Sequence, residues 1–170
     1  MNYKVRNEKN LITGLGIHSC LGEDIPSFAK ALREGKYGLH FDTERSRNGY
    51  QSDLCGAVPP VSEKYMKGLS RAQLQCLSRP SQYALSAVRQ ALDEAKVSDD
   101  FLNDHHVSLI VSNDSTAGAM MQTGITMQQK NDTRYLGAGA VFRSLNSTVS
   151  MNIASILGIH GLSLTVSAAC

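Results

Sequence analysis

The chain closes on residues 162–170, LSLTVSAAC, in which apolar and hydroxyl side chains alternate before two alanines and a cysteine. Leu162, Leu164 and Val166 share one side of an extended chain, which predicts a strand with one apolar face. A cysteine at the end of such a strand, after two small residues, fits an accessible thiolate nucleophile. Taken alone, Cys170 is more typical of a small buried hydrophobic residue, because free cysteine is among the most buried residue types.

Short strands and helices alternate upstream of this motif, as in a mixed or parallel sheet covered by helices. The sequence therefore predicts an α/β layered fold. Residues 36–60 are polar and broken by glycine and proline, which predicts irregular structure with one short strand. The other predicted elements are a strand at 11–13, a helix from the N-cap Asp24 to Gly35, a helix after Pro80, a strand at 107–111, a helix that follows the cap residues 113–116, and a helix from Val149 that Gly158 closes.

Composition excludes several classes of protein. The 170 residues include 17 basic and 15 acidic side chains, a net charge of +2 that is too small to indicate a nucleic acid or a membrane surface as the partner. The four cysteines contain no CxxC pair, which argues against a zinc site and a disulfide framework. The polar N-terminus lacks the apolar segment of a signal peptide, and we expect a soluble, cytoplasmic protein of one domain.

Two short motifs have alternative interpretations. Gly14-Leu15-Gly16 follows a predicted strand, as in a dinucleotide fingerprint, but Ser19 occupies the third glycine position, so tight-turn glycines are favoured. His105 and His106 are adjacent, and neighbours on a strand point to opposite faces, so a shared metal is disfavoured. The sequence predicts neither a metal nor a cofactor.

Four ordered segments resemble the β-ketoacyl-acyl-carrier-protein synthases, the ketosynthases of the thiolase-like superfamily. Residues 11–22 (LITGLGIHSCLG) resemble the start of that family, and residues 32–39 (LREGKYGL) resemble its next glycine-containing segment. Residues 78–85 (SRPSQYAL) are similar to a helix start of the family, and residues 158–170 to the approach to its active-site cysteine. Four segments in the family's order are far more specific than any one of them.

The resemblance implies that residues 1–170 are the N-terminal half of a thiolase-like β-ketoacyl synthase domain, with the C-terminal half absent. Cys170 matches the nucleophile that accepts an acyl group. The implied reaction is decarboxylative Claisen condensation of that acyl group with malonyl-acyl-carrier protein, in fatty-acid or polyketide-type synthesis. The family's two catalytic histidines lie downstream of the cysteine, so no histidine of this chain is assigned to catalysis, and no cofactor is implied.

The resemblance also points to an acyl pocket. Ser115 falls near the position that gates this pocket at the family's dimer interface, although an ordinary serine cap is an equal alternative. Met120 and Met121 would line the pocket with adaptable apolar surface, or else fill the core.

The implied partners are an acyl carrier protein and a second ketosynthase-like subunit, in a homodimer or a heterodimer. Lys64, Lys67 and Arg71 form a basic stretch that would dock the acidic carrier protein, although most such clusters are solvated helix faces. The rival function is a non-catalytic, chain-length-factor type of subunit or a truncated dimerisation module. Such factors typically replace the cysteine, so Cys170 favours the enzyme. A product that ended at Cys170 would favour the rival, because it could not hold the enolate.

Overall fold

The computed structural model describes residues 9–168, so Cys170 lies outside the described residues. Helices dominate this part of the chain, and its four strands form two small sheets. Two 3₁₀ turns, Glu63–Tyr65 and Thr133–Tyr135, complete the elements. In chain order the helices and strands are α1 (Ile25–Arg33), β1 (Leu39–Phe41), α2 (Thr43–Arg47), β2 (Leu54–Gly56), α3 (Arg71–Cys76), α4 (Arg79–Ala95), α5 (Asp99–Asp104), β3 (Leu109–Ser112), α6 (Ala117–Lys130), α7 (Ala140–Arg143), α8 (Thr148–Leu157) and β4 (Ser163–Val166).

The two sheets differ in strand direction. Strands β1 and β2 form an antiparallel hairpin in the stretch predicted to be irregular, with His40 opposite Cys55. Strands β3 and β4 are parallel, with Leu109 opposite Ser163 and Ser112 opposite Val166. Helix α8 packs on this parallel pair and also on α4. The strands and helices therefore form the predicted α/β arrangement.

The hydrophobic core lies between α4, α8 and the parallel strands. Leu85, Leu102 and Ile153 are fully buried there, with Val149 and Leu157 beside them. Burial of side chains of this size contributes about 1.5–3 kcal/mol each. The opposite face of the parallel strands is open within residues 9–168, and Ile110, Leu164 and Val166 are exposed on it.

Residues 9–18 do not form the strand predicted at 11–13. This segment lies along α4, and its backbone is held by helix side chains: Gln90 accepts from the Ile17 N–H at 3.3 Å and donates to the Ile17 carbonyl at 2.9 Å. Gly14 and Gly16 are not turn glycines either, because neither has a positive φ. A Cβ at Gly16 would lie 1.8 Å from the Ala87 carbonyl oxygen, so these glycines allow the segment to approach α4 closely.

Candidate active site at the carboxyl ends of the parallel strands

Two loops meet where β3 and β4 end. Because the strands are parallel, their carboxyl ends lie at the same edge of the sheet. Asp114 follows β3, and Ser167 and Ala168 follow β4. Residue 168 is the last described position, two residues before Cys170, so the contacts of this edge set the path by which the chain approaches the cysteine.

The Asp114 carboxylate holds the end of β4. Its Oδ1 accepts the hydroxyl of Ser167, and its Oδ2 accepts the Ala168 N–H at 3.1 Å. Hydrogen bonds to a charged acceptor are stronger than bonds between neutral groups. The first backbone amide beyond Ser167 is thereby fixed by a side chain from the neighbouring loop.

Asn146, in the loop before α8, connects these groups. Its Nδ2 donates to Ser167 Oγ at 3.0 Å and to Asp114 Oδ1 at 3.4 Å, while its Oδ1 accepts the hydroxyl of Thr116. The backbone carbonyl of Asn146 accepts from Asn113 Nδ2 at 3.0 Å. We call these five residues, Asn113, Asp114, Thr116, Asn146 and Ser167, the strand-end network.

The sequence analysis missed the strand-end network as a unit. It interpreted residues 113–116 as helix caps, but Thr116 at the start of α6 makes no side-chain capping bond, and Asn113 instead accepts from the Ser115 N–H at 3.1 Å. The available signal was the placement of polar residues directly after two strands with neighbouring carboxyl ends. Nothing in the spacing indicated Asn146, because its partners lie 21 to 33 residues away in sequence.

Replacing Asn146 with alanine is expected to lower the free energy of unfolding by about 1–3 kcal/mol, because it leaves the buried Thr116 hydroxyl without its partner and removes the donor to Ser167 Oγ. Urea denaturation followed by circular dichroism measures the change. Asn48→Ala, at an exposed position after α2, is the control and should shift the midpoint far less. Equal shifts in the two variants would show that the strand-end network has no special role in stability.

The three predicted pocket residues do not lie together in the structure. Ser115 lines a cavity of about 1040 Å³ together with Gly118 and Gln122 from the first turns of α6. Met120 and Met121 lie on the same helix but are exposed and do not line this cavity. The structure therefore brings Ser115 to a cavity and leaves the methionines on the surface of residues 9–168. The role of all three in binding substrate stays a prediction.

Two of the three predicted docking residues lie together. Lys64, on the first 3₁₀ turn, and Lys67 are exposed and line a cavity of about 480 Å³. Arg71 begins α3 and does not line it. A side-chain contact with Tyr65 raises the pKa of Lys64, with smaller contributions from nearby carboxylates that include Glu23, so Lys64 keeps its positive charge at neutral pH.

Arg89 fixes the segment that carries the two lysines. Its Nη1 donates to the backbone carbonyls of Tyr65 at 2.6 Å and Lys67 at 3.1 Å. Because Arg89 belongs to the long helix α4, the lysines are held on a rigid element. Arg89 lines the same cavity as the two lysines, together with the carboxylates Asp93 and Asp99.

Residues 9–168 contain neither a metal-binding cluster nor a helix able to span a membrane. No group of three or more histidine, cysteine or acidic side chains in this range is arranged to hold a metal ion. None of the helices within the same range combines the length and the apolar character that crossing a membrane requires.

Comparison with known proteins places these features in a family. Residues 8–170 match the family model "Beta-ketoacyl synthase, N-terminal domain". The chain is 28% identical over 165 residues to the 3-oxoacyl-[acyl-carrier-protein] synthase 1 of Escherichia coli (strain K12), covering 96% of this chain and 40% of the relative. It is 25% identical to the enzyme of the same name from Buchnera aphidicola subsp. Baizongia pistaciae, covering 94% of this chain and 39% of that relative.

Solved structures agree with this match. The ishigamide ketosynthase/chain length factor superimposes with a TM-score of 0.79 at 23% identity, covering 94% of this chain and 40% of that chain. A β-ketoacyl synthase from Burkholderia phymatum STM815 superimposes with a TM-score of 0.70 at 18% identity, covering 91% and 38%. The chain thus spans about two fifths of the length of the proteins it matches. With its thiolase-like fold and a family match over nearly its whole length, the chain belongs to the β-ketoacyl synthase family, in the family's N-terminal domain.

Proposed function

We propose that the complete protein is a β-ketoacyl-acyl-carrier-protein synthase, and that Cys170 is its acyl-accepting nucleophile. Family membership carries this proposal, because the matched range, residues 8–170, includes the cysteine that follows the alternating strand. The strand-end network supports it, since Asp114 holds the backbone at Ala168, two residues before the thiol. A preorganised backbone at this point keeps a nucleophile in a reactive geometry.

The proposed reaction has two half-reactions. The Cys170 sulfur attacks the carbonyl of an acyl thioester, a new carbon–sulfur bond forms, and the carrier protein's thiol leaves with the cysteine's proton. Malonyl-acyl-carrier protein then loses carbon dioxide, and its enolate carbon attacks the acyl group, which displaces the Cys170 thiolate. A thiolate suits both steps, because it is a strong nucleophile and also a good leaving group.

The remainder of the domain is proposed to lie in the part of the protein that this chain does not include. The relatives are about two and a half times as long, which supports this assignment. Leu11, Ile12 and Ile110 are also large apolar side chains at least 70% exposed within residues 9–168, and exposed apolar surface commonly marks an interface. We propose that the C-terminal half covers this surface and supplies the histidines that stabilise the enolate and the oxyanion.

Acylation of Cys170 is the direct test of the proposed function. The complete polypeptide would be incubated with an acyl-acyl-carrier-protein thioester, digested and analysed by mass spectrometry. We expect one acyl mass on the peptide that contains Cys170. If a competent acyl donor leaves this peptide unmodified, the enzyme proposal fails and the non-catalytic subunit becomes the better reading.

We further propose an acyl carrier protein as the partner of the surface formed by Lys64 and Lys67, and a second ketosynthase-like subunit as the dimer partner, within the cytoplasm. A solved structure with a TM-score of 0.68 is of a type II polyketide ketosynthase in complex with its acyl-carrier protein. Exposed lysines held on a rigid helix through Arg89 fit a partner of opposite charge. Within residues 9–168 strand β4 pairs only with β3, along one edge, which leaves its other edge for a second subunit.

The double variant Lys64→Glu/Lys67→Glu is expected to weaken carrier-protein binding by at least about tenfold, because it reverses two charges at the interface. Calorimetric titration at low and high salt measures the dissociation constant and its salt dependence. Lys30→Glu/Lys36→Glu, at exposed positions on and just after α1, makes the same change in net charge elsewhere and serves as the control. If the two variants weaken carrier-protein binding equally, net charge and not this surface governs docking.

A further inference from the structure

The hairpin of β1 and β2 places a second cysteine beside a histidine. His40 and Cys55 are directly paired across the two strands, so their side chains share one face. The Cys55 Sγ lies 3.6 Å from His40 Nε2 and 3.9 Å from Asp42 Oδ2. A thiol within hydrogen-bonding distance of an imidazole nitrogen is the arrangement in which histidine accepts the thiol proton.

The surroundings of Cys55 admit a reactant. Cys55 is half-buried and lines the cavity of about 1040 Å³ that Ser115 also lines. His40 is exposed, so a proton that it accepts can pass to water. The lining of this cavity combines apolar residues, among them Val58, Leu77 and Pro80, with the polar side chains of Arg79 and Arg143. A reactive thiol in a cavity that offers both apolar surface and polar groups suits a substrate that joins a carbonyl carbon to a hydrocarbon chain.

We infer that Cys55 is a second nucleophilic thiol of this protein, with His40 as its general base, and that it accepts acyl groups from thioesters. The assignment of acyl thioesters rests on the proposed function, whereas the reactivity of the thiol rests on the hairpin geometry alone. In the step, His40 takes the proton of Cys55 and the sulfur attacks the thioester carbonyl. The new carbon–sulfur bond replaces the old one, and the leaving thiolate recovers the proton from His40.

Asp42 acts against this step. Its Oδ2 faces the thiol and its Oδ1 accepts the Glu44 N–H at 3.0 Å, so the carboxylate is held near the sulfur. A fixed negative charge disfavours a negative sulfur, while an imidazole that gains a proton favours it. Substitutions at His40 and Asp42 should therefore change the reactivity of Cys55 in opposite directions, which a merely structural role of the hairpin would not produce.

The experiment uses the complete polypeptide with Cys170→Ala and two probes, iodoacetamide and the octanoyl thioester of N-acetylcysteamine. Trypsin separates the other cysteines, because Cys55 falls in residues 48–64, Cys20 in 10–30 and Cys76 in 72–89. We expect both probes to modify Cys55 about tenfold faster than Cys76. Cys76 is the reference, since its sulfur has no hydrogen-bonding partner among residues 9–168.

Two variants decide the role of the neighbours. His40→Gln should slow modification of Cys55 about tenfold and Asp42→Asn should accelerate it, with Cys76 unchanged in both. Equal rates at Cys55 and Cys76, or no effect of His40→Gln in a protein that melts at the same temperature, would overturn the inference. Alkylation of Cys55 without acylation would overturn the choice of thioesters. Acylation of Cys170 in the unsubstituted protein is read on a separate peptide, so the proposed function stands or falls independently.

Discussion

Replacing Cys170 with alanine in the complete polypeptide is expected to reduce condensation by at least about 10⁴-fold, because the substitution removes the atom that forms the acyl-enzyme. The effect should fall on the rate constant and not on carrier-protein binding, since the proposed docking residues Lys64 and Lys67 are untouched. A coupled assay with acyl- and malonyl-acyl-carrier protein measures the rate. Calorimetric titration measures the binding.

Two further substitutions make this expectation specific. Cys76→Ala removes a half-buried thiol of α3 and should leave the rate of condensation nearly unchanged. Cys170→Ser keeps an oxygen nucleophile of similar size, yet it should remain far slower than the unsubstituted protein, because an alcohol is a weaker nucleophile than a thiolate at neutral pH. Condensation near the normal rate in Cys170→Ala would contradict the assignment of the nucleophile.

The helices that the sequence predicts well are those whose ends have local chemical signals. Helix α1 begins after Asp24, whose carboxylate accepts the Ser27 N–H at 2.8 Å, and this contact with Ser27 lowers the pKa of Asp24. Helix α8 ends at Gly158, which has a φ of 67°. These signals act within four residues, so the sequence contains everything that determines the helix end.

The elements that the sequence did not predict depend on distant partners. The hairpin of β1 and β2 lies in a stretch rich in polar residues and glycine, and its pairing joins His40 to Cys55 across an intervening helix. Residues 11–13 have the composition of a strand, but they pair with no strand within residues 9–168, and Leu11 and Ile12 are exposed. Composition alone does not determine which partner such a segment meets.

Part of the candidate site was predictable from the sequence, and part of it was not. Resemblance predicts Cys170 as the nucleophile and the charge pattern predicts Lys64, Lys67 and Arg71 as docking residues, and the structure brings Lys64 and Lys67 to one cavity. The strand-end network depends on Asn146, which the parallel pairing of β3 and β4 brings close to Asp114. Residues that are distant in sequence come into contact here because of the strand topology, and a short sequence motif does not encode such a contact.

The close contact of residues 9–18 with α4 also affects the cavity that Cys55 lines. The small residues of α4 permit this close packing, and a Cβ at Gly14 would lie 2.0 Å from the Ala91 carbonyl oxygen and 3.0 Å from the Ala95 nitrogen. His18, two residues after Gly16, donates from Nε2 to the Pro59 carbonyl at 2.8 Å. Its ring also stacks on Tyr83, which lines the cavity of Cys55. The glycines therefore set the position of one wall of the cavity.

Gly16→Ala is expected to lower the free energy of unfolding by about 3 kcal/mol. The added Cβ would lie 1.8 Å from the Ala87 carbonyl oxygen and 2.7 Å from its carbon, and backbone atoms of a central helix cannot rotate away. Gly124→Ala is the matched control, because its Cβ would meet open space in the middle of α6, and it should raise stability by up to about 1 kcal/mol. Urea denaturation of the complete polypeptide measures both changes. Opposite signs from the same chemical substitution would show that Gly16 is required by close packing, whereas a stabilising Gly16→Ala would mean that the segment does not lie against α4 as described.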